Sequence, residues 1–165
     1  MSFRDEALEA NEAFTARFEA VDRDAPPTRR VAVLACMDAR LRPEEALGLG
    51  IGEAHVVRNA GGRPTEDAVR SLMLSSAVLG TRIAVVIHHT DCGLLGTTNE
   101  EIGARVAAVT GQDVSGTDFL PFDDADHTLR DDVRAIDADP RLAFTEVTGF
   151  LYDVRTGRLR EVGIA

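Results

Sequence analysis

The chain has 165 residues, 44% of them apolar and 28% charged, which suits one soluble globular domain with a single substantial core. Its net charge of −10 and pI near 4.8 exclude the basic face that binding to nucleic-acid phosphates requires. No apolar run approaches the length of a membrane-spanning helix.

Residues 3–22 place Phe3, Ala7, Phe14, Phe18 and Val21 at three-, four- and seven-residue steps among charged residues. That spacing predicts an amphipathic helix, stopped by Asp24-Ala25-Pro26-Pro27. The chain's opening residues contain no apolar stretch of the signal-peptide kind, so the expectation is a soluble, cytoplasmic protein with reduced thiols. A first strand is predicted over 30–36, a short helix around 43–49 and a second strand near Ala54 to Arg58. Asn59-Ala60-Gly61-Gly62 reads as a turn, and Pro64, Glu66 and Asp67 suit the first turn of a helix reaching about Leu79. The third strand falls at 82–88, followed by a helix over about 98–109. An acidic stretch, 110–127, contains the apolar island Phe119-Leu120-Pro121-Phe122, expected to anchor a loop. A helix near 127–137 precedes two strands, 143–153 and 158–162, joined hairpin-fashion at Thr156-Gly157.

Short apolar strands alternating with helices predict an α/β fold, a parallel sheet with helices on both faces. The expectation is a single domain over 1–165, with 1–25 as an N-terminal helical arm. Ligands of such sheets gather outside the carboxyl ends of the strands, and both cysteines lie there. Cys36 closes the first strand, and Cys92 follows the third in His89-Thr90-Asp91-Cys92. Two thiols and an imidazole make three of the four ligands of a tetrahedral zinc, and a missing fourth protein ligand is the mark of a catalytic site. Asp38 and Arg40 follow Cys36 closely. A guanidinium fork clamping Asp38 would hold the carboxylate off the metal as a hydrogen-bond acceptor. Without that clamp, Asp38 could swing in as a fourth ligand and close the site.

Cys36-Met37-Asp38-Ala39-Arg40, Val57-Arg58-Asn59-Ala60-Gly61-Gly62 and His89-Thr90-Asp91-Cys92-Gly93 together resemble the β-class carbonic anhydrases, most closely the short archaeal and actinobacterial type. The resemblance runs from the first helix through Gly149-Phe150-Leu151-Tyr152-Asp153. It implies Zn2+ on Cys36, His89 and Cys92 with water or hydroxide in fourth place, and an Asp38–Arg40 dyad. It also implies reversible hydration of carbon dioxide to bicarbonate and a proton, by attack of zinc-bound hydroxide. The implied fold is a four-stranded parallel core with one further strand. The implied assembly is a homodimer or homotetramer whose N-terminal helix packs on a partner subunit.

Position 88 departs from the many members with glycine before the ligand histidine. The two-residue spacing to Cys92 assigns the ligand to His89, and the His88 side chain points the opposite way on an extended segment. Some bacterial members carry a tryptophan-lined bicarbonate pocket; this chain has no tryptophan, and Val33 stands three residues before Cys36. Asp91 is expected to bond loop amides, and His55 and His127 are expected at the surface. Two alternatives stay open: a carbon disulfide or carbonyl sulfide hydrolase on the same zinc site, and a non-catalytic zinc module closed by Asp38.

Overall fold

Strand β1 (Val31–Cys36) organises the molecule, with every residue from Ala32 to Cys36 buried. In the computed structural model, which describes residues 1–19 and 24–163, β1 lies between β2 (Ala54–Asn59) and β3 (Ile83–His89). Beyond β3 come β4 (Glu146–Tyr152) and β5 (Leu159–Glu161), giving the order β2-β1-β3-β4-β5. The first four strands run parallel, and β5 returns antiparallel to β4. This is the four-plus-one sheet that the motifs implied.

Side chains alternate between the faces of a strand, and both faces of the central strands are apolar. Ala32, Leu34, Ala84 and Val86 point to one layer. There they meet Ala68 and Leu72 of helix α3 (Glu66–Met73) and Leu129, Val133 and Ile136 of helix α5 (Ala125–Ala138). The other α-helices are α1 (Phe3–Thr15), α2 (Pro43–Ala46) and α4 (Asn99–Thr110). Val33, Ala35, Val85 and Ile87 face the other layer with Leu41, Phe122 and the two cysteines. The register pairs Cys36 with Asn59 and Ala35 with Ile87. Cys36 and His89 therefore emerge at the same edge, the carboxyl end of the parallel strands.

Two helices and one histidine differ from the spacing-based expectation. Helix α1 stops at Thr15 rather than 22; Ser2 and Asp5 cap it reciprocally, and none of its residues is buried. Val21 lies outside the described residues. The helix expected to reach Leu79 is regular only to Met73 and continues as one π turn, Leu74–Val78, in which the Leu79 amide donates to the Leu74 carbonyl. The Ser75 hydroxyl is buried there and bonds Thr81 Oγ1 at 2.9 Å and His55 Nδ1 at 2.8 Å. Side-chain hydroxyls that find such partners compete with the helical ladder. His55 is thus half-buried and engaged, not the surface residue expected, whereas His127 is exposed as expected.

A candidate metal centre at the carboxyl edge of the sheet

The end of β1 delivers Cys36 and the end of β3 delivers His89. The turn after β3 passes through Asp91 in the left-handed region (φ 59°) and brings Cys92 back toward them. One ligand atom from each residue, the two sulfurs and an imidazole nitrogen, lies within 4.8 Å of the other two, and all three residues are buried. The orientation of His89 is fixed by its backbone neighbour: Nδ1 lies 2.8 Å from the Thr90 carbonyl oxygen. A carbonyl only accepts, so Nδ1 carries the hydrogen and Nε2 is the nitrogen left to face the sulfurs. Nε2 is buried and finds no hydrogen-bond partner among the described residues. A buried lone pair aimed at two thiols is an unmet requirement that a thiophilic divalent cation satisfies.

The electrostatics fit the same purpose. The Cys36 thiol is pulled well below the usual thiol range, first by a hydrogen bond from the Cys92 thiol, with burial opposing, then by His89 and the backbone amides of Asp38 and Gly61. Cys92 is pushed well up, first by the Cys36 sulfur and then by burial. Of the two, Cys36 ionises the more readily. Burial works against a charge on His89, yet the Cys36 thiolate raises its affinity for a proton. Loading a metal onto these three side chains must therefore release protons.

Asp38 stands beside this cluster and is gripped from one side. Arg40 Nε donates to Asp38 Oδ1 at 2.9 Å, Nη2 to Oδ2 at 2.7 Å and the Arg40 amide to Oδ1 at 2.8 Å. These bonds hold the Asp38 carboxyl well below the usual carboxylate range, so it is ionised throughout the neutral region. Its Oδ2 lies 3.9 Å from His89 Nε2, close to the ligand set. Asp91 corrects the expectation made for it. Its carboxylate accepts from Arg40 Nη1 at 2.7 Å rather than from loop amides, and its carbonyl accepts from Nη2 at 3.0 Å. Arg40 is thereby held between two aspartates.

Two supports stood inside a motif in the sequence, but their contacts emerge only in the fold. Arg58, on β2, donates to the Cys36 carbonyl at 3.0 Å and to the Asp38 carbonyl at 2.6 Å, fixing the backbone on which ligand and carboxylate both hang. Asn59 ties its own turn: Oδ1 accepts from the Arg63 amide at 2.9 Å and Nδ2 donates to the Arg63 carbonyl at 2.7 Å. The turn then presses glycine against the strand ends. Gly62 has φ +68°, and a Cβ there would stand 2.8 Å from the Cys36 amide nitrogen and 2.9 Å from the Ile87 carbonyl oxygen. Both neighbours are backbone that cannot step aside. Gly62→Ala is expected to lower stability by about 2–4 kcal/mol through the strained φ and the overlap together. The midpoint of chemical denaturation measures it, and a midpoint equal to that of the unaltered chain would show that the turn can relax.

His88 turns away from the cluster, as the extended geometry requires. It is buried, stacks on Phe122 with ring centroids 5.8 Å apart, and brings Nε2 within 3.1 Å of Asp132 Oδ2. Asp132 also receives Arg63 Nε at 2.6 Å. Phe122 is the buried residue of the acidic stretch and anchors it, its backbone bridging to Leu95.

In front of Cys36, His89 and Cys92 lies a cavity of about 390 Å³. Met37, Gly61, Leu94, Ile102 and Val106 give it mainly apolar walls. Helix α4, expected as an element but not as part of the site, supplies the last two.

These features define an α/β protein with a buried Cys–His–Cys cluster, one clamped carboxylate beside it and a small apolar chamber before it. The comparisons agree on its kin. A family model described as carbonic anhydrase matches residues 31–112. Beta-carbonic anhydrase 1 of Mycobacterium tuberculosis is 42% identical over 139 residues, covering 83% of this chain and 84% of that one. A carbon disulfide hydrolase of Acidithiobacillus thiooxidans is 33% identical over 156 residues, covering 82% and 78%. The crystal structure of a carbonic anhydrase from Streptococcus mutans superposes with a TM-score of 0.92 at 41% identity over 99% of each chain. The chain belongs to the β-carbonic anhydrase family.

Proposed function

We propose that the protein catalyses the reversible hydration of carbon dioxide, CO2 + H2O ⇌ HCO3− + H+, with zinc held by Cys36, His89 and Cys92. The observation that carries this reading is the Asp38–Arg40 clamp. Both Asp38 oxygens are engaged by Arg40, which keeps the carboxylate next to the ligand set without filling a fourth position. When bound, zinc supplies Lewis acidity that makes a water nucleophilic near neutral pH, less strongly with two thiolates than with three imidazoles. Asp38, ionised and able only to accept, takes a hydrogen bond from the attacking water and turns its lone pair toward the chamber. Arg40 holds Asp38 in that pose, and Asp91 holds Arg40. The apolar walls from Leu94, Ile102 and Val106 suit a linear, uncharged substrate.

The carbon disulfide hydrolase relative favours a second reading on the same residues, since carbon disulfide is also linear and apolar. Stopped-flow hydration of carbon dioxide and sulfide release from carbon disulfide, run on one zinc-loaded sample, separate the two. Hydration without sulfide is expected; sulfide release without hydration would transfer the assignment to the sulfur substrate.

The assembly belongs to the same proposal. Helix α1 buries nothing within its own chain and exposes Phe3, Leu8 and Phe14, and Phe18 just beyond its end is exposed too. A second copy of the chain covers this stripe, giving a homodimer that can pair further into a tetramer. Phe14→Ser with Phe18→Ser is expected to shift the light-scattering mass toward the monomer with the metal centre intact; an unchanged mass would remove α1 from the interface. Among the described residues no helix is long and apolar enough to cross a membrane, and a reducing cytoplasm would keep both thiols free to bind zinc.

A further inference from the structure

The chamber has a polarity of its own that the hydration chemistry does not use. Its walls carry two charged side chains, Asp38 and Arg105. Asp38 is ion-paired to Arg40, which also pairs with Asp91. Arg105 is exposed, sits on α4 between Ile102 and Val106 on the chamber side, and has no hydrogen-bond or ion-pair partner among the described residues. The chain as a whole is strongly acidic, at −10, so its average field repels anions. An unpartnered guanidinium places a positive charge at the chamber, and its planar fork matches a planar oxyanion.

We propose that Arg105 is the anion-holding residue of this site, binding bicarbonate and other small planar monovalent anions at the chamber while neutral carbon dioxide passes without engaging it. The proposal rests on the hydration reading for the identity of the physiological anion, and on the geometry alone for the anion class. Arg105 is a specificity residue in this scheme. It stabilises the bound anion and not the bond-forming step.

The test uses the zinc-loaded protein and nitrate, a planar anion of similar size to bicarbonate, titrated calorimetrically at constant ionic strength. Arg105→Ala is expected to weaken nitrate binding about three- to fivefold, the scale of one solvent-screened charge contact. Arg105→Lys is expected to restore most of it. In kinetics, Arg105→Ala should leave kcat/KM for carbon dioxide unchanged and raise KM for bicarbonate by the same factor. Its kcat for dehydration should rise in step, as the reaction's equilibrium constant requires. Equal nitrate affinity in all three proteins would overturn the proposal, whatever their activity. Arg105-dependent nitrate binding in a protein that hydrates no carbon dioxide would uphold the anion role and overturn the hydration reading instead.

Discussion

His89→Ala is expected to strip the protein of zinc and abolish carbon dioxide hydration. His89 is the one imidazole in the cluster, and its Nε2 is presented ready-made by the bond between Nδ1 and the Thr90 carbonyl. Alanine leaves two buried thiols that cannot both ionise easily, because Cys36 as a thiolate pushes Cys92 up. Zinc retained after dialysis should fall from about one equivalent per chain to near zero, and hydration should fall by roughly three orders of magnitude or more. Elemental analysis and stopped-flow assay on the same sample check both. His88→Ala is the comparison that gives the result its meaning. His88 is buried against Phe122 and Asp132, away from the sulfurs, so its loss should reduce stability and leave zinc content untouched. Zinc lost from the His88 variant but kept by the His89 variant would reverse the ligand assignment.

Asp38→Asn is expected to keep zinc and lose about 10²- to 10³-fold in kcat. The amide matches the carboxylate in shape, but it is neutral, and it can present a donor where the attacking water needs an acceptor. Zinc content is the discriminating readout. A carboxylate serving as a fixed fourth ligand would take metal affinity down with it, and that outcome would favour the closed, non-catalytic module. The pH dependence has a defined sign. Arg40 holds Asp38 far below the neutral range, so the carboxylate gains no charge between pH 6.5 and 9. Hydration that rises with pH in that window therefore reports the ionisation of another group. A folded-state carboxyl with a depressed pKa stabilises the fold above its unfolded pKa and loses that contribution as pH falls through the folded one; the Asp38–Arg40 pair should persist until well below pH 4.

Much of this architecture was legible because its signals are local. The short apolar runs Val31–Ala35 and Ile83–Ile87, alternating with helices, read as buried strands, and Cys36 and His89 fell just past their ends, which the structure sets at one edge. The C-x-D-x-R order likewise gave the Asp38–Arg40 clamp, because residues two apart beyond a strand end can fold back on each other. What the sequence hid depends on pairing across the chain. Asp91 lies 51 residues from Arg40, and no spacing rule joins them. Arg58 was visible inside a motif, yet its role follows from the parallel register that sets β2 beside β1. The helix from Glu66 ended early because Ser75 found Thr81 and His55, a competition invisible to periodicity. Helix α4 was placed correctly along the chain, but its position over the chamber, and with it Arg105, emerges only in three dimensions.

Zinc-dependent hydration is decided by stopped-flow carbon dioxide hydration of the protein as purified, after removal of zinc by a chelator, and after zinc is restored. Strong hydration is expected to disappear with the metal and to return at one zinc per chain. One zinc per chain with no hydration at any pH from 6.5 to 9 would contradict it.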